Sequence, residues 1–232
     1  MFKSMLLALF VSTVLAVPAV KREDLCDVHS VTLDLPSSET GTPLATPLAS
    51  GPVFIGLGVG VQNYTCTTTG TYTNVGALAE LFDISCLSPS YYDDVTDAAW
   101  SVWEHAPADI TAADVIAALA PYHLSFVLGQ HYFITNPITG SGLSPKWDFT
   151  SASEAGNPDA FVVGARTGDI PSPTDPAVNI DWLSLSAVQG ALADQIFRVQ
   201  TRGGQPPTSC TPGSDEIEVR YVSQYWFYGG SF

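Results

Sequence analysis

Between Phe54 and Val61 the chain puts glycine at every second position, Gly56, Gly58 and Gly60, with Ile55, Leu57, Val59 and Val61 in the alternate places. Such alternation is a strand whose glycine face is bare, so a second backbone or an aromatic ring must cover it. The same glycines invite a dinucleotide reading, which fails. That fingerprint needs its third glycine where Val61 stands, and a helix must follow; Gln62-Asn63-Tyr64-Thr65-Cys66 is polar and strand-prone instead.

The rest of the chain repeats short apolar runs between Pro and Gly turns. Val28 to Leu35 alternates as a half-buried strand, with Val31, Leu33 and Leu35 on one face. Pro36 to Pro52 is a Ser, Thr, Pro and Gly linker with little to bury. A polar turn over Thr67–Thr73 leads to a strand over Ala77–Ile84. Two short helices follow, one capped at Thr96 or Asp97 and running through Trp100 and Trp103. The other has a Thr111 and Asp114 capping box ahead of Val115–Leu119 and Pro121 just past its end. Tyr122–Thr135 reads as one or two strands, and further strands fall near 160–166, 180–188, 193–201 and 217–228. The last alternates Tyr221, Tyr225 and Phe227 against Arg220, Gln224 and Trp226. The fold class is therefore all-β, a sandwich or barrel of mostly antiparallel strands with one or two short helices.

Residues 1–19 have the charged start, apolar centre and small-residue end of a secretory signal peptide, and the apolar run is too short to span a bilayer. Residues 20–22, ending in Lys21-Arg22, read as a dibasic propeptide remnant, which leaves 23–232 as a single secreted β domain. No later stretch is apolar enough for a membrane. The formal net charge is -15, and it becomes more negative once Lys3, Lys21 and Arg22 are removed. A surface that acidic repels nucleic acid and anionic lipid. Cys26, Cys66, Cys86 and Cys210 form an even set in a chain bound for an oxidising compartment, which implies two disulfides with three connectivities open. No close cysteine pair suggests a metal site.

The densest local signal runs from Gly129 to Phe149, where Asn136-Pro137, Gly140-Ser141-Gly142 and Pro145 punctuate two aromatic runs. This spacing predicts a hairpin with its loop over Asn136–Pro145, placing His131, Lys146, Trp147 and Asp148 together at the rim of a ligand cleft. Trp147 could stack on a sugar ring and desolvate Asp148, while Lys146 pairs with that carboxylate or holds an anionic group. His131 and Asp148 are the weak catalytic candidates. Neither the nucleophile elbow of a hydrolase nor a clear glycosidase carboxylate pair is present, and His29, His105 and His123 add no base with a partner. Asp93, Asp94 and Asp97 lack the spacing of a calcium loop. Asn63-Tyr64-Thr65 is a glycosylation sequon, with Asn63 as the acceptor.

Several longer motifs carry a resemblance: Gly60-Val61-Gln62-Asn63-Tyr64-Thr65-Cys66, Gly129-Gln130-His131-Tyr132-Phe133, Gly140 through Phe149, Asn179-Ile180-Asp181-Trp182-Leu183, Arg198-Val199-Gln200-Thr201 with Gly203-Gly204-Gln205-Pro206-Pro207, and Gln224-Tyr225-Trp226-Phe227-Tyr228. Over nearly the whole mature chain they resemble a secreted family, known mainly from filamentous fungi with bacterial relatives, catalogued as domain of unknown function 3455. The resemblance implies a compact extracellular β domain. It also implies the pair Cys66 with Cys210, whose counterparts bacterial relatives carry alone, leaving Cys26 with Cys86. Fungal members often bear a "malate dehydrogenase" label, which the residues reject. There is no dinucleotide fingerprint and no parallel-sheet pattern, few arginines are available to clamp a dicarboxylate, and no nicotinamide pool exists outside the cell.

The functional expectation is a non-catalytic wall- or matrix-associated domain that binds carbohydrate, a cell-wall polymer or a small molecule. It takes no cofactor, no metal, no nucleic acid and no membrane. The alternative is a secreted hydrolase acting on a carbohydrate or small ester through His131 and Asp148.

Overall fold

The computed structural model describes residues 26–38 and 40–231; the expected signal peptide and dibasic remnant lie outside them. Eight strands follow one another as β1 (Phe54–Cys66), β2 (Tyr72–Asp83), β3 (Val127–Thr135), β4 (Leu143–Asp148), β5 (Phe161–Ile170), β6 (Trp182–Gln189), β7 (Gln195–Gly203) and β8 (Ile217–Tyr228). Each pairs antiparallel with the next and β8 returns to β1, closing a barrel. Two helices, α1 (Tyr92–Glu104) and α2 (Ala112–Leu119), interrupt the meander between β2 and β3. An antiparallel barrel lacks the parallel doubly wound sheet that a dinucleotide-binding dehydrogenase requires.

Strand alternation divides the apolar residues into two sets, one on each side of the wall. Inside, Leu81, Leu128, Trp147, Phe149, Tyr221, Tyr225 and Phe227 pack together. Outside, Ile55, Leu57, Val222 and Trp226 pack beneath Tyr92 and Trp103 of α1. The three alternate glycines of β1 face inward. A Cβ at Gly58 would stand 2.6 Å from the Tyr225 ring, so β1 is kept bare on that face to admit the aromatic side chains of β8. The covering ring expected from the sequence is Tyr225.

Helix α1 is fastened to the wall by polar contacts as well as packing. Trp103 donates from Nε1 to the Gly60 carbonyl at 2.7 Å, and Arg202 reaches Asp97 at 2.6 Å. Arg220 stacks on Trp103 and donates to the carbonyls of Trp103, Ala106, Pro107 and Ile110 just beyond the helix. Carbonyls at the C-terminal end of a helix and in the loop that follows attract a cation. The Thr111 and Asp114 capping box opens α2.

Three sequence expectations are corrected, and a fourth is narrowed. The Val28–Leu35 segment forms no strand. Its alternation is real, with Val31, Leu33 and Leu35 half-buried against the outer apolar cluster, but a closed barrel has no edge for it to pair with. The first helix begins at Tyr92, four residues before Thr96, whose hydroxyl donates back to the Tyr92 carbonyl within the helix. Of the one or two strands expected in 122–135, one forms, over Val127–Thr135. The hairpin loop ends at Gly142, because Pro145 already lies in β4 opposite Phe133.

Cys66 is joined to Cys210 and Cys26 to Cys86. The first bond ties the end of β1 to the loop entering β8, and the second ties the start of the described chain to the segment after β2. No described helix is long and apolar enough to cross a membrane.

Candidate functional site

The β3–β4 hairpin does not assemble its four candidate residues at one rim. His131 lies opposite Trp147 and Tyr132 opposite Lys146, so successive residues fall on opposite faces of the wall. His131 and Trp147 point inward, stacked at 4.5 Å between ring centroids, with Tyr225 at 5.3 Å from the imidazole. Both are 2% exposed. His131 donates from Nδ1 to the Lys146 carbonyl at 2.9 Å when neutral. Burial pushes its pKa down to about 3, against the help of that carbonyl, and the positive charge of Arg198 adds to the fall. The imidazole is thus a neutral core group.

Lys146 and Asp148 face outward. The Asp148 carboxylate accepts from Lys146 Nζ at 2.7 Å, Tyr132 at 2.7 Å, and both the hydroxyl and the amide of Thr150. Burial works against its charge, but the bonds from Lys146, Thr150 and Tyr132 outweigh it and hold the carboxyl below its ordinary range. The Lys146 ammonium also lies 4.4 Å from the centroid of the Phe161 ring. A carboxylate this fully engaged braces β3, β4 and the turn that follows β4. Its hydrogen-bond capacity is spent, and the barrel wall separates it from His131.

The cleft lies elsewhere. One end of the barrel interior is filled by Phe54, Phe149 and Phe227 in edge-on contact. The other end is a cavity of about 560 Å³ reached by the ends of β1, β3, β5 and β7 and the starts of β4 and β6. Tyr64, Phe133, Ile180, Leu183 and Leu185 supply its apolar surface, and Gln62, Asp181 and Arg198 its polar one. A pocket of this size and mixed lining accommodates a small organic molecule.

Arg198 is the cation nearest the barrel axis. Its register partner is the inward Tyr225, and the guanidinium donates from Nε and Nη2 to the Asp181 carbonyl at 3.1 and 2.9 Å. The other described cations are engaged elsewhere, Lys146 with Asp148, Arg166 with Asp169, Arg202 with Asp97 and Arg220 with the carbonyls around the end of α1. Among the described residues, Arg198 has no ion-pair partner. Its charge acts on Tyr64, Asp181, Tyr221 and Tyr225, partly offsetting the rise that burial causes in each. Asp181 is raised first by burial and then by the charge of Asp169.

Gln62 sits at the same end, 3% exposed. Its carbonyl oxygen accepts from Asn74, while among the described residues Nε2 makes no well-formed hydrogen bond and acts only on the Tyr221 hydroxyl. Sequence reasoning missed Arg198, Gln62 and Asp181 as site residues. The available signal was a lone arginine in the otherwise inward-apolar face of a strand in a chain poor in cations.

The remaining candidates stand apart from the cavity. Asn63 is half-buried in β1 and donates to Glu216 at 2.9 Å, so a glycan at its Nδ2 requires release of that bond. Asp97 is paired with Arg202, and Asp93 approaches Gln224. Among the described residues, no three His, Cys, Asp or Glu side chains are grouped to hold a metal ion.

Residues 48–229 match the family described as "Protein of unknown function (DUF3455)". The match spans most of the chain and all eight strands, and the chain belongs to that family. No curated protein and no solved structure matches it.

Proposed function

We propose that this member of a family without an assigned activity is an extracellular, non-catalytic domain that holds a small molecule in the mouth of its barrel. The observation that carries the reading is the 560 Å³ cavity, with apolar walls and a few inward polar groups. An extracellular, wall- or matrix-associated location is supported by the leader pattern of residues 1–19 and by the two disulfides, which persist in oxidising compartments. The non-catalytic reading is supported by the position of the two sequence-derived catalytic candidates, His131 and Asp148, outside the cavity lining. The hydrolase alternative has less support, because His131 and Asp148 occupy opposite faces of the wall.

Fluorescence titration with the neutral apolar probe phenylnaphthylamine tests the reading. The wild-type protein is expected to bind one probe saturably. Leu183→Trp, which fills the cavity, is expected to weaken that binding about tenfold or more while leaving the melting temperature near that of the wild type. Absence of saturable binding, or binding indifferent to the substitution, contradicts the proposal.

A further inference from the structure

We infer that the ligand is a small organic anion, an acid with an apolar or aromatic body, whose anionic head is received by Arg198 and Gln62. The inference rests on the cavity reading above and narrows it to a chemical class. Arg198 brings a positive charge into the barrel and spends two N–H groups on the Asp181 carbonyl. The guanidinium has five donors in all, and with one acting on the Tyr225 hydroxyl others still remain for an incoming oxygen. No described carboxylate forms a salt bridge with it, and Asp181 acts on its charge only through space. A cation taken out of water without a counter-ion is costly, and a bound carboxylate would remove that cost.

Gln62 is an independent observation. Gln62 lines the same cavity, and among the described residues its buried amide nitrogen makes no well-formed hydrogen bond, acting only on the Tyr221 hydroxyl. An unmade bond at a buried donor is expensive, and an acceptor on the ligand satisfies it. A neutral apolar molecule would leave the guanidinium charge without a counter-ion. An anion head at Arg198 meets that charge inside the lining it shares with Gln62, with its body against Phe133, Ile180, Leu183 and Leu185.

The acidic groups at the mouth set the conditions for this. Asp169 on β5 is salt-bridged to Arg166, and Asp181, before β6, has no salt bridge among the described residues and opposes an anion at Arg198. Burial and the charge of Asp169 favour the protonated form of Asp181, while Arg198 and Arg166 oppose that. An anion therefore competes with one carboxylate, and binding strengthens when that carboxylate loses its charge.

The test compares anilinonaphthalene sulfonate with its neutral parent phenylnaphthylamine, two probes that share one body and differ in the anionic group. Arg198→Gln is expected to weaken the sulfonate about tenfold or more, the scale of a lost charge-assisted bond, and the neutral probe by less than about twofold. Asp181→Asn is expected to tighten the sulfonate alone. Should Arg198→Gln fail to fold, Gln62→Leu carries the same comparison. Equal losses for both probes, or no loss for the sulfonate, overturn the anion assignment while the cavity reading stands. If neither probe binds the wild type, the cavity reading itself falls.

Discussion

At the residue scale, burial assigns roles that residue type alone suggested differently. Trp147 offers no stacking face to a ligand, since its ring lies between His131, Tyr225 and Phe227. Trp147→Ala should therefore lower unfolding stability by about 3 to 5 kcal/mol in a urea titration, the usual cost of emptying a core aromatic site. A loss under about 1 kcal/mol would contradict the core assignment. Glu80 is the opposite case, a carboxyl 2% exposed with Gln130 as its hydrogen-bond partner at 3.1 Å. Burial lifts its pKa from 4.5 to about 7, against the stabilising bond from Gln130. The folded chain then holds the proton more tightly than the unfolded chain, so this group's contribution falls as pH rises from about 4.5 to about 7. Glu80→Gln should raise stability by on the order of 2 kcal/mol at pH 8 and leave it nearly unchanged at pH 4. Asp148 has the reverse sign. Its depressed pKa gives stability that is present at neutral pH and lost on acidification.

At the element scale, the strands with clean period-two patterns were legible in the sequence. β8 occupies the residues its alternation indicated, with Tyr221, Tyr225 and Phe227 inside and Trp226 outside. The β3–β4 hairpin was legible from its turn chemistry, and Gly140 and Gly142 both take the positive φ that the loop demands. The Val28–Leu35 segment was misread because alternation reports which face is buried and says nothing about whether a ladder partner exists. The glycine strand offers a direct test of how β1 and β8 fit. Gly58→Ala should destabilise the protein by about 1 to 3 kcal/mol, since its methyl group meets the Tyr225 ring. Thermal unfolding at unchanged temperature would show that the ring has room to move.

At the scale of the whole molecule, closure of the barrel makes the site, and closure cannot be read from any single segment. Arg198, Gln62 and Asp181 are far apart in sequence, and only the β6–β7–β8–β1 register brings them to one end of the interior. Aromatic side chains fill the opposite end, which leaves space at the mouth. The Cys66–Cys210 bond spans 144 residues, and a loop of that length restricts the unfolded chain by about 4 to 5 kcal/mol in the chain-entropy description. The Cys66→Ala, Cys210→Ala double variant should lose stability on that scale in a denaturant titration; an unchanged midpoint would contradict it.

The central claim, that a ligand enters the barrel mouth, is tested most directly by amide shift mapping during titration with anilinonaphthalene sulfonate. The account predicts that the largest shifts fall on Gly164, Leu183, Leu185 and Arg198 and on the side-chain amide of Gln62. Shifts confined to the exposed aromatics Tyr91, Tyr122 and Phe126, with the mouth unperturbed, would contradict it.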